Sequence, residues 1–186
     1  KRQGVGGLSV AYSHAAGSRN LIFDTAGDTD LTADQYAEGY ILINDQEGEG
    51  QMLRVRTHQA HDHSNDPTFT VTTYDPLATA LVKNSSQGTL IANPYKDVVV
   101  APTAEVCSVI GATVIDMSND EYGWIVCSGL AAVLTDGTLV AGQIAKRSDN
   151  AAGAVEPAGD DVLSPIGQVH IVNATTEYSV IKLMIE

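Results

Sequence analysis

Apolar and polar residues alternate along most of this chain, and the alternation is interrupted by glycine or aspartate every eight to twelve residues. A period of two places successive side chains on opposite faces of an extended backbone, whereas a helix needs a period of 3.6, so the pattern demands strands joined by tight turns. Extended segments are predicted at 8–12, 20–24, 39–44, 51–58, 68–74, 89–92, 97–100, 109–116, 123–128, 130–134, 138–146, 166–172 and 178–185. The expected fold is therefore all-β, a sandwich or a barrel-like arrangement with very little helix; "LTADQYA" and "DPLATAL" allow a helical turn at most. "ANPYKDVVVAP" carries two prolines near the middle. It divides the chain into an N-terminal β subdomain, 1–92, and a C-terminal one, 93–186, with a single sandwich as the alternative. The sequence shows no internal repeat and no low-complexity tract.

Two hairpins are written most clearly. "GYILINDQEGEGQMLRVRTH" joins two alternating runs through a loop relieved by Gly48 and Gly50. "AAVLTDGTLVAG" centres on Asp136-Gly137, the pair suited to a two-residue type I′ turn. Counted outward from that turn, Val133 faces Val140 and Leu134 faces Leu139, which makes both faces of the hairpin apolar. One face fits the chain's own core; the other requires a second sheet or a neighbouring subunit. Val133, Leu134, Leu139 and Val140 are on this reading an oligomer interface. The final strand sorts Ser179, Ile181, Leu183 and Ile185 onto one face and Tyr178, Val180, Lys182 and Met184 onto the other, as a central strand would.

At 186 residues the chain is long enough to bury a core without disulfides. Cys107 and Cys127 each lie in apolar stretches and read as buried thiols, and Trp124 in "YGWIVC" reads as a core residue. No apolar run approaches the roughly 18 residues of a membrane span, and no leader-type segment is present, so no membrane partner is expected and synthesis is assigned to the cytoplasm. Ten basic residues face 23 acidic ones, for a net charge of −13, which argues against nucleic acid. Residues 21–50 hold eight carboxylates and no base, a solvated and self-repelling surface. Lys1, Arg2 and the glycines of "GVGG" suit an extended basic arm that contacts a neighbouring protein.

The stretch most like a reactive centre is "THQAHDHSND", with His58, His61 and His63 beside Asp62 and Asp66. An H-x-H pair is what cupin metal sites use, but Val55 stands where cupins have glycine and Pro67 or Thr68 where they have glutamate. A zinc site needs three or four rigid ligands with supporting contacts, which a Ser-, Asn- and Asp-rich loop is poorly built to give. The segment is expected to be a polar loop, and no metal or cofactor is assigned; a small metalloenzyme on His58, His61 and His63 is the rival reading. "FDTAGDT" resembles the Asp-Thr-Gly signature of aspartic proteases, yet Ala26 interrupts it and no second copy exists. No nucleophile elbow, phosphate loop or dinucleotide fingerprint occurs. A structural or binding role is thus favoured over an enzyme.

Longer stretches carry a resemblance. "YGWIVCSGLAAVLTDGTLVAGQIAKRSDNAAGAVEPAG" with "IGQVHIVNATTEYSVIKLMIE", and "LTADQYAEGYILINDQEGEGQMLRVRTH" with "LIANPY", resemble virion structural proteins of tailed bacteriophages, in particular capsid decoration or cement proteins encoded near the major capsid gene. The resemblance implies a non-enzymatic, β-rich homo-oligomer, trimer favoured and dimer as the alternative. It implies binding to the major capsid protein on the outside of an expanded head. Another virion part, such as a head fibre base or a tail or adsorption protein, is the alternative. The resemblance carries over no functional residues.

Overall fold

A computed structural model describes residues 4–25, 29–104, 106, 108–159 and 165–185, and among these the chain is all-β with no helix. It divides into two compact units, Lys1–Lys96 and Asp97–Glu186.

The first unit is a closed six-stranded barrel. Its strands are β1 (Gly4–Val10), β2 (Asn20–Thr25), β3 (Tyr40–Asp45), β4 (Met52–His58), β5 (Phe69–Thr73) and β6 (Gln87–Ile91), in the order β1-β2-β5-β4-β3-β6. Alternation supplies the interior: Leu8, Val10, Leu21, Phe23, Ile41, Ile43, Val55, Phe69, Val71 and Leu90 are fully enclosed, while Leu31, Tyr36, Leu77 and Leu81 are also buried in this core. A barrel this narrow is filled by its own side chains and keeps no lumen for a ligand. The 45–51 connection between β3 and β4 turns through positive-φ Gln46, Gly48 and Gly50.

The strand order maps onto itself when β1, β2 and β3 are exchanged with β4, β5 and β6. Details follow the same exchange. An isolated antiparallel bridge joins His14 to Leu81, and another joins His61 to Leu31. Asp34 and Asn84 both adopt left-handed backbone, at φ 58° and 57°, and donate their N–H groups to the last residues of β4 and β1, His58 and Val10. The barrel is thus two copies of one path, a repeat the sequence does not betray because only backbone path and a few anchoring side chains are shared.

Gly4–Gly7 correct the expectation of a free arm: they open β1. A Cβ at Gly4 would lie 2.5 Å from the Leu90 carbonyl oxygen, and the pairing of β1 with β6 shifts register between Val5 and Leu8, with Gly7 at φ 71°. The glycines therefore serve close approach and a bulge in the barrel wall. Lys1 and Arg2 lie outside the described residues, as does Cys107.

The second unit contains β7 (Ala112–Thr113) paired with β8 (Ile125–Val126), and a sheet of β9 (Ser128–Leu134), β10 (Ile144–Arg147), β11 (Val155–Pro157), β12 (Pro165–Ile171) and β13 (Tyr178–Met184) in the order β11-β10-β12-β13-β9. A parallel bridge from Thr135 to Val155, with the Asp136 N–H donating to the Val155 carbonyl at 2.8 Å, draws the two edges together at one end. Ile181, Leu183, Val169, Ala145, Val155 and Ile166 form the core of the curled sheet. β13 is central, with Ser179, Ile181 and Leu183 inward and Tyr178, Lys182 and Met184 outward.

The Asp136-Gly137 hairpin does not form. A type I′ turn requires positive φ at both central residues, and only Gly137 has it, at 80°. Val133 pairs with Ser179 and Leu134 with Tyr178 across β13, so neither pairs with Leu139 or Val140 in a hairpin ladder. Val133 and Leu139 are buried in the unit's own core, Leu134 is half-buried and Val140 is exposed.

A Cβ at Gly167 would sit 2.2 Å from the Lys182 carbonyl oxygen, whereas one at Gly129, φ 95°, meets nothing within 4 Å. Gly167→Ala is therefore expected to destabilise this unit by about 2–3 kcal/mol in chemical denaturation, because it wedges β12 from β13. Gly129→Ala should cost about 1–2 kcal/mol, from backbone strain alone.

Candidate functional site

The histidine-rich segment begins inside the barrel wall. Leu53 and Val55 of β4 point inward, and a register shift against β5 between Val55 and Thr57 changes the parity, so that His58 also turns inward. Its ring packs 6.0 Å from Tyr36 and 6.2 Å from Phe69. Nε2 accepts the Tyr36 backbone N–H at 2.9 Å, and Nδ1 lies 2.7 Å from the Gln59 carbonyl oxygen. A carbonyl only accepts and a backbone N–H only donates, so the proton resides on Nδ1. Burial lowers the pKa of His58, which holds the ring in that neutral form.

His61 is buried too. Its backbone exchanges both hydrogen bonds with Leu31, at 2.8 and 2.9 Å, and its Nε2 lies 2.7 Å from Thr25 Oγ1. The ring packs 5.1 Å from Phe69. His58 and His61 are therefore structural, and the polar-loop expectation fails at His61 because the bridge to Leu31 folds that residue under the barrel end. The metal trio His58, His61 and His63 does not assemble: the first two rings are committed to Tyr36 N–H, the Gln59 carbonyl and Thr25.

His63 instead meets residues that the sequence places far away. Its backbone N–H donates to Asp30 Oδ1 at 3.0 Å and its Nδ1 lies 2.8 Å from the same oxygen. That hydrogen bond lowers the pKa of Asp30. Asp62 accepts from the Ser64 N–H at 3.0 Å and the Asn65 side-chain amide at 2.7 Å; the amide contact is the chief reason its pKa is lowered. Ligand-capable atoms of Asp30, Asp62 and His63 all lie within 4.8 Å of one another. Asp30 was legible only as one of many carboxylates, since the Leu31–His61 bridge alone brings it here. Other members of the acidic 21–50 stretch are engaged as well: Asp34 accepts from Thr57 and from the His58 N–H, and Glu38 from Tyr74 and Arg54.

Ser64 Oγ lies 3.1 Å from His63 Nε2, which completes a Ser64–His63–Asp30 chain of the kind used in acyl transfer. The surroundings oppose that chemistry. The Ser64, Asn65 and Asp66 N–H groups are spent on Asp62, and the Asp62 carboxylate would repel a developing oxyanion. The same negative field favours a cation. Near His58 there is a shallow open depression of about 220 Å³ lined by Asn20, Thr57, Gln59, Thr70 and Thr72, below the roughly 300–1,000 Å³ of small-molecule pockets.

In the second unit, Trp124 is 85% exposed and Tyr122 fully so, which corrects the core assignment of Trp124: it lies just before the two-residue β8, outside any strand. Cys127 is a half-buried free thiol. No protein-family model, curated protein or solved structure matches the chain.

The folded pKa of His58 lies below the ordinary 6.5. The unfolded chain therefore takes up the proton first as pH falls through about 6.5, and stability declines until the folded ring protonates as well. His14, whose pKa burial also lowers, acts in the same direction. The melting temperature should drop between about pH 8 and pH 5, and His58→Gln should shrink that drop while lowering the melting temperature at the alkaline end.

Proposed function

We propose that this chain is a non-enzymatic structural protein of a tailed-phage virion, which binds the major capsid protein on the outer surface of the expanded head as a homo-oligomer and stabilises the shell. The observation that carries the reading is the apolar surface of the second unit. Val99, Val100, Val106, Ile115, Tyr122 and Trp124 are each 66% exposed or more, whereas among the described residues no large hydrophobic residue of the barrel exceeds the 54% of Tyr12. Large apolar side chains exposed to this degree are surface that a protein partner would cover.

The backbone beneath this surface is tethered. The buried Arg147 guanidinium donates to the Pro102 carbonyl at 2.9 Å and to that of Ala104, and the Gly153 N–H donates to the Ala101 carbonyl at 2.9 Å. Lys146 bridges Asp149 and Glu156 at 2.8 and 3.2 Å, which raises its pKa and keeps it charged. Valines are thus held out on an anchored segment, and less ordering entropy is lost when a partner covers them. Stabilisation then follows from mass action, about 2.7 kcal/mol per site at a hundredfold excess over the dissociation constant.

The exposed Tyr122–Gly123–Trp124 run favours a second reading, an adsorption protein that stacks sugars on its aromatic rings. Native mass spectrometry and co-sedimentation with expanded heads built from the neighbouring major capsid protein decide between them. The wild-type chain should be a trimer or dimer that sediments with heads. A Val99→Ser, Ile115→Ser, Trp124→Ser variant should be monomeric and bind heads at least about tenfold more weakly. A monomer that ignores heads and binds glycans through Trp124 would replace the capsid reading with the adsorption one.

A further inference from the structure

The barrel contains its own control for the Asp30–Asp62–His63 cluster. The exchange that superposes the His14–Leu81 bridge on His61–Leu31 pairs Ala15 with Asp62, Ala16 with His63 and Ala80 with Asp30. The local turn agrees, because the Ser18 N–H donates to the Ala15 carbonyl as the Asn65 N–H donates to that of Asp62. One corner of the barrel is therefore built with three alanines where the other carries two carboxylates and an imidazole. The fold closes this corner with alanine at all three positions, so a carboxylate or imidazole at these positions is not required for its architecture.

We propose that Asp30, Asp62 and His63 form a binding site for a divalent first-row transition metal. Two carboxylate oxygens and one ring nitrogen are the mixed donor set that zinc and its neighbours accept, and a nitrogen donor disfavours calcium and magnesium. Ligands about 2.0–2.2 Å from a tetrahedral ion stand about 3.3–3.6 Å apart. Metal binding would draw these donor atoms, now within 4.8 Å of one another, closer by side-chain rotation. Supporting contacts already orient the donors: the Ser64 N–H and Asn65 amide on Asp62, and the His63 N–H on Asp30. The two loops that supply them are locked by the paired hydrogen bonds between Leu31 and His61. Adjacent in sequence to Asp62, His61 is 3% exposed and its Nδ1 has no hydrogen-bond partner among the described residues. Three protein ligands leave a position open for water or for a donor from another molecule.

The test uses the full chain and zinc ion alone as the probe. Native mass spectrometry and zinc titration of the wild type are compared with Asp30→Ala, Asp62→Ala, His63→Ala, which rewrites this corner as its alanine counterpart. The wild type should hold one zinc per chain and melt at higher temperature with zinc than without. The triple variant should bind at least about 100-fold more weakly, show no zinc-dependent shift, and keep a metal-free melting temperature close to that of the wild type. Equal zinc binding by the two proteins, or none by the wild type, overturns the assignment, as does tighter binding of calcium than zinc. If the triple variant does not fold, His63→Ala alone, copying Ala16, decides by the same readouts.

Discussion

Two pairs of backbone hydrogen bonds, between Leu31 and His61 and between His14 and Leu81, hold the barrel ends. Each joins a loop from one half of the barrel to a loop from the other, across 30 positions in one case and 67 in the other (61 − 31 and 81 − 14). Everything at the polar corner depends on the first of them. It buries His61 against Phe69, stations Thr25 beside the ring, and sets Asp30 next to His63. Loop residues that would otherwise sample many conformations are thereby fixed by main-chain contacts that any side chain could accompany, which is why the two corners tolerate such different chemistry.

The histidines illustrate how burial sorts identical residue types into different roles. His14 and His58 use Nε2 as an acceptor for backbone N–H groups, of Ile22 and Tyr36. A neutral imidazole satisfies a main-chain donor that a barrel end would leave unpaired, at the cost of sensitivity to acid. His63, partly exposed and paired with a carboxylate, is under no such obligation.

Strand content was legible in the sequence wherever alternation was strict. β2 to β5 and β13 follow from apolar runs such as "NLIFDT", "YILIND" and "YSVIKLM", bounded by turn residues, whereas the glycines that open β1 read as an arm. Pairing was legible only where a turn was local, as between β3 and β4. It was not legible where partners were distant: Asp136-Gly137 has hairpin composition, yet the edge of β13 outcompetes the adjacent segment for β9, and the 97–100 and 109–116 runs stay largely outside the sheets, with Val99, Val100 and Ile115 exposed while Val109 and Ala112 pack on the core. The polar corner failed for the same reason. His63 and Asp30 are 33 positions apart, and periodicity carries no information about which loops touch.

Gly4 lies opposite Ile91 in the wall between β1 and β6. The strand that opens the barrel and the strand that completes it are therefore immediate neighbours. A barrel closed in this way can be permuted, with a new start in the 45–51 turn and the old ends spliced, while every strand keeps its neighbours.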